Sequence, residues 1–242
     1  LPTGSGGWQQ AWWAVALLAA AVALAALIGL ASLQSRFVPN PVVAPPSGPA
    51  RADEAPPRRA LIAAALAYGL FGFAYVIHAT YLPAMIRAAG YPPQAAHWAW
   101  VLVGLMAIPG IVFWNRMASR HGLRTAIACC YAFEGLTAMA PVFNGSLAAA
   151  LVAAVGLGAV LTPVSGLALT HGRALAGGSA ARIVGLMTIS FGTGQILGPI
   201  VAATLAEGAG FAAPSAVASA ALLTCSLLVW RLSSEPSPVR PS

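Results

Sequence analysis

The chain contains no lysine and only five acidic residues, and 7% of its 242 residues are charged. Without lysine there can be no Schiff base to retinal or pyridoxal and no phosphate lysine of a Walker-type loop. A seven-span photoreceptor is excluded on the same ground. The three cysteines, Cys129, Cys130 and Cys225, all fall in apolar stretches. On a helix the adjacent pair would point about 100° apart, poorly placed to bond to each other, so the cysteines read as small packing residues. His78, His97, His121 and His171 are dispersed, with no HExxH or other metal-ligand spacing. No motif sets a nucleophile beside a base. The residues therefore indicate neither an enzyme nor a cofactor.

What is present is hydrophobicity: 59% of residues are apolar and the mean hydropathy is +0.81, whereas soluble domains carry roughly 25% charged residues. Seven apolar stretches, at 11–31, 60–82, 97–114, 125–143, 146–169, 183–206 and 211–231, are each about the length that crosses hydrocarbon as a helix. The expected fold class is an all-α polytopic membrane protein of seven transmembrane helices. They are split one plus six: a lone span in residues 1–35, a linker over 36–59, a six-helix bundle over 60–232 and a tail over 233–242. Seven prolines lie between Pro39 and Pro57, so the linker cannot fold alone and reads as a solvated tether.

The net charge of +7 reports topology rather than a nucleic-acid partner. Arginines cluster after the first, third, fifth and seventh spans, and only Arg87 falls in a loop of opposite parity. Arginine-bearing short loops stay cytoplasmic, which places linker and tail inside and the N-terminus outside. No basic residue precedes the first span, which argues against a cleaved signal. A span entering from outside, in a chain that opens on Leu1, fits truncation upstream.

Glycine and alanine enrich the six-span region, as expected where helices must approach without a hydrophobic drive. Ser190, Gly194, Gly198 and Ala202 form one small-residue seam. The middle helix of each triplet of spans carries a matched pair, Gly104 with Pro109 and Gly194 with Pro199, which hints at an internal repeat.

Polar groups inside spans are candidates for chemistry because hydrocarbon offers them no partners. Glu134 lies about 15 Å of helix beyond Arg124, with Cys130, Tyr131 and Thr137 on its face. It could take up and release a coupling proton, or serve as a hydrogen-bonded glutamate between helices. Tyr68, Gly72, Tyr75 and His78 share a face at spacings of four, three and three. Glycine leaves room for a ligand, phenols can donate to it, and histidine titrates near neutral pH; an aromatic packing face is the alternative. Gln195 sits mid-span among glycines and must find partners across the bundle, in substrate passage or as interhelical glue.

The run from Tyr68 to Pro83, then Trp100-Val-Leu-Val-Gly104 with Pro109 and Trp114, then Gly192-Thr-Gly-Gln-Ile-Leu-Gly-Pro199, resembles the YbfB/YjiJ branch of the major facilitator superfamily, over nearly all of residues 60–232. That superfamily has twelve helices in two six-helix halves joined by a cytoplasmic loop. The resemblance implies a C-terminal transporter half preceded by the sixth helix, with a missing N-terminal half as partner. It further implies a small-molecule substrate, alternating access, proton coupling and a bacterial inner membrane. The superfamily's seventh and tenth helices line the central cavity, which would put Thr162 and Ser165 beside it. The loop from Asn115 to Arg124 is similar to the superfamily's gating motif: Arg120, Gly122 and Arg124 match, while Asn115 and Ser119 replace its first glycine and its acid. A non-transporting seven-span receptor or scaffold, or a self-assembling half-transporter, are the competing readings.

Overall fold

A computed structural model describes residues 13, 14, 16, 17, 20, 21, 24 and 28, then 58–176 and 180–232. The chain divides into two units, Leu1–Gly48 and Pro49–Ser242. In the first, the eight described residues are helical and exposed. The rest of the lone span, the linker up to residue 57 and the tail over 233–242 lie outside the described residues.

Among its described residues the second unit is built of helices joined by short turns. Its helices are α1 (Arg58–Ala88), α2 (Pro93–His121), α3 (Leu123–Ala138), the short α4 (Ala140–Phe143), α5 (Leu147–Ala176), α6 (Ala180–Ala209) and α7 (Ala212–Leu232). With α3 and α4 taken together, six segments among the described residues are long and apolar enough to cross a membrane.

Local chemistry sets the boundaries. Pro93 opens α2 in the first turn, where its missing N–H has no helical partner to lose. Gly122 closes α2 with φ 87° and ψ 156°, backbone open to glycine but strained for other residues, and its N–H bonds back to the Ala118 carbonyl. Pro141 cannot donate to the helical ladder, so the stretch expected as one span over 125–143 turns at Met139 and resumes as α4. Ser146 caps α5 by accepting the Ala149 N–H at 3.3 Å.

Packing follows a two-fold logic between the triplets α1–α3 and α5–α7. The first helix of each triplet makes its most extensive contact with the middle helix of the other: α1 lies along α6, and α5 along α2. Glycines bring both pairs into backbone contact. A Cβ at Gly194 would land on the Gly69 carbonyl oxygen, and one at Gly198 on that of Phe73. In the other seam a Cβ at Gly110 would land on the Ala159 carbonyl, and one at Gly158 on the Val103 carbonyl. The expected seam of Ser190, Gly194, Gly198 and Ala202 thus lies against α1, with Ala202 fully buried and the Ser190 hydroxyl donating to the Ala65 carbonyl at 2.8 Å. The glycine of the other matched pair, Gly104, instead faces open space.

The central core draws on α1, α3, α5, α6 and α7 with Trp114 of α2, and a smaller one joins the ends of α1, α2 and α5 around Leu82, Ile86, Val103 and Leu157. In the most apolar window of each span, 67% of α1 is buried against 22% of α2 and of α6. The middle helices are therefore the ones left for lipid or a partner to cover.

Candidate functional site

Two polar centres lie within the bundle, one at its half-exposed face and one in its interior. The first stands where α1, α5 and α6 meet. Tyr68, Phe71 and Tyr75 recur at three and four residues on α1, so their rings stack up one side of that helix. Phe191 of α6 reaches all three, with ring centroids 4.7 Å from Tyr68, 5.6 Å from Tyr75 and 5.9 Å from Phe71. The close approach is possible because Gly72 presents no side chain where the Phe191 backbone passes.

Hydrogen bonds run through this ring cluster. Gln195 donates its amide N–H to the Tyr75 hydroxyl, and the Tyr68 phenol has the Ser165 hydroxyl of α5 beside it. Ser165 also bonds to the Leu161 carbonyl at 3.3 Å. Tyr75, Ser165, Phe191 and Gln195 are half-buried, and Thr162, one turn from Ser165, is exposed. The expected residues Tyr75, Ser165 and Gln195 are thereby brought to one place, with Thr162 at its edge. His78 is buried, 3% exposed, and its Nε2 has no hydrogen-bond partner.

The second centre is Glu134 on α3. It is 1% exposed and neither carboxyl oxygen has a hydrogen-bond partner. Cys130 and Tyr131 from its own helix and Cys225 from α7 are within its electrostatic reach. Thr137, on the same face, bonds to the main-chain carbonyls of Phe133 and Glu134, each at 3.0 Å, rather than to the carboxyl. Below Glu134 the α3–α7 contact is held by Ser219, whose hydroxyl donates to the Gly135 carbonyl at 2.6 Å. A charged carboxylate here would carry its full desolvation penalty, which the neutral acid avoids.

The two centres are linked through aromatic rings: Tyr131, beside Glu134, lies 5.5 Å from Phe71, which lies 5.6 Å from Tyr75. Sequence reasoning did not single out Phe71 or Phe191. The i, i+3, i+7 recurrence of Tyr68, Phe71 and Tyr75 was a visible signal for Phe71. Nothing local marked Phe191, whose role depends on a helix more than 100 residues away.

At the arginine-bearing end, the α2–α3 loop turns on Gly122. Arg120 is exposed and Arg124 half-buried, its guanidinium 5.3 Å from the centre of the Trp230 ring. Ser119 bonds to the Arg116 carbonyl and Asn115 to that of Ile111, so both replacements in the motif turn back onto their own helix. At the opposite end, a cavity of about 310 Å³ is lined by apolar side chains such as Met85, Pro141 and Phe211 and by Ser146, the α5 cap. It contains none of the expected site residues.

A family profile described as uncharacterised MFS-type transporter YbfB matches residues 3–230. The chain belongs to this family. The match covers residues ahead of the helical bundle as well as the bundle itself, so both share the family's pattern. Membership of an MFS-type transporter family, together with six apolar helices of spanning length, identifies an integral membrane protein of a transporter family, with a bilayer and a small-molecule substrate as its setting. The family is one of transporters rather than of enzymes. No curated protein matches the chain.

Proposed function

We propose that this chain is the C-terminal portion of a secondary transporter that moves a small solute across a bacterial inner membrane by alternating access, with proton coupling. In this reading the six-helix bundle rocks against an N-terminal six-helix half around a midplane site, while the linker and C-terminus lie in the cytoplasm. Tyr75, Thr162, Ser165 and Gln195 line the solute site, with His78 behind them. Arg120, Gly122 and Arg124 form the gating loop, where the exposed Arg120 and the Arg124–Trp230 contact replace the absent acid as the polar features of the turn.

The observation that carries the proposal is the pairing of a half-exposed, uncharged polar face with a buried acid that has no hydrogen-bond partner. The face can bind and release a solute without a large desolvation penalty. The acid can change its protonation state with the conformation around it. Reconstituting the full-length protein in liposomes tests both parts. Solute uptake driven by an imposed pH gradient, lost in Glu134→Gln while gradient-free exchange persists, is the expected result. No flux of any solute under any gradient would leave a receptor or scaffold as the better reading, and flux unchanged in Glu134→Gln would remove the acid from the coupling.

A further inference from the structure

The chemistry of the α1–α5–α6 face narrows the class of solute. Four aromatic rings stand together there, three of them contacting Phe191 within 6 Å, and ring faces attract cations through their quadrupole. The polar groups set among them are the hydroxyls of Tyr68, Tyr75 and Ser165 and the Gln195 amide. Gln195 donates its N–H to Tyr75, leaving its carbonyl oxygen as an acceptor. Among the described residues the arginines lie towards the helix ends, and Arg124 stacks on Trp230 rather than on these rings. A flat cation is the ligand that these groups complement.

The interior acid lies behind the same rings. Tyr131, three residues before Glu134 on α3, leads by successive ring contacts through Phe71 to Tyr75. The titratable groups within reach of the carboxyl, Cys130, Tyr131 and Cys225, are all neutral in their protonated forms. An ionised Glu134 would therefore find its counter-charge in a cation held at the ring face.

We infer that the solute is a planar aromatic organic cation, stacked against Tyr75 and Phe191 and oriented by Gln195, and that its binding displaces the proton of Glu134. This rests on the transport reading above and gives its coupling a direction: one cation enters the site as one proton leaves, so the net charge of the loaded half is unchanged. Across the ring layer at an effective dielectric near 20, ionising Glu134 should tighten cation binding by about tenfold.

Ethidium serves as the probe, with the full-length protein in weakly buffered detergent. Titration should release up to a proton per bound ethidium, and affinity should rise by about tenfold from acid to alkaline pH. Glu134→Gln should bind without proton release and without pH dependence. Phe191→Leu and Tyr75→Leu should lose binding while staying folded, with melting temperatures lowered only by the lost ring contacts. Equal affinity for phenanthrene, a neutral planar hydrocarbon, would overturn the cation assignment. Ethidium binding with no proton release would overturn the exchange. Flux of another solute with no ethidium binding sinks this inference alone, whereas ethidium binding and proton release without flux under any gradient sinks the transport reading and leaves the site.

Discussion

The two long seams of the bundle, α1 on α6 and α2 on α5, solve one packing problem with the same device, glycine against a backbone carbonyl, but only the first carries polar chemistry. Along α1–α6 the glycines are interleaved with Ser190, Phe191 and Gln195, which reach Ala65, the ring cluster and Tyr75. Along α2–α5 Gly110 and Gly158 meet Ala159 and Val103, residues with nothing to donate beyond their backbone. The scaffold is paired, while the function is loaded on one side. Close approach in lipid is supplied by small residues in either case, so specificity has to come from what stands beside them.

Forcing a side chain into each seam is the largest perturbation of this comparison. Gly194→Leu and Gly158→Leu should each destabilise by about 3 kcal/mol, since backbone cannot move aside as a flexible side chain can. Unfolding titrations in mixed micelles would measure it, and a seam that tolerates leucine is not the backbone contact described. Next comes the interior. Glu134→Leu should stabilise the bundle by about 2 kcal/mol by removing a buried acid without hydrogen bonds, and a lowered melting temperature would mean that the carboxyl has a partner after all.

Smaller effects separate the seams further. Ser190→Ala should lose about 1 kcal/mol because the α1–α6 contact forfeits its bond to the Ala65 carbonyl, while its packing volume hardly changes. Gly104→Ala, on an exposed face of α2 with open space at its Cβ position, should change stability by under about 0.5 kcal/mol. A large effect there would show that Gly104 is covered in the membrane, as Gly194 is by α1.

Much of this organisation was legible before any coordinates. Spans stood out because hydrocarbon demands unbroken apolar length, and the Ser190–Gly194–Gly198–Ala202 seam stood out because its four-residue period is that of a helix face. The ends were less legible. Expected spans stop near 82 and 114, but α1 and α2 run on to Ala88 and His121, because a helix continues past the hydrocarbon until a glycine such as Gly90 or Gly122 turns the chain. Pairings of distant helices could not be read at all. Tyr75 and Gln195 were each marked by polarity within a span, yet their bond joins residues 120 positions apart. The matched Gly104 and Gly194 looked equivalent in sequence and differ in environment, since a glycine's neighbour is set by the helix opposite and not by its own.

The thiol of Cys225 on α7 is fully buried and bonded to the Ala67 carbonyl of α1 at 3.2 Å. Those two helices cannot part without breaking that bond and admitting reagent to the sulfur. The protein thus carries a built-in clock for its own breathing: at saturating concentrations of a small membrane-permeant alkylating agent, the pace of Cys225 modification is the rate at which α1 leaves α7. No foreign label has to be placed in the bundle to hear it tick.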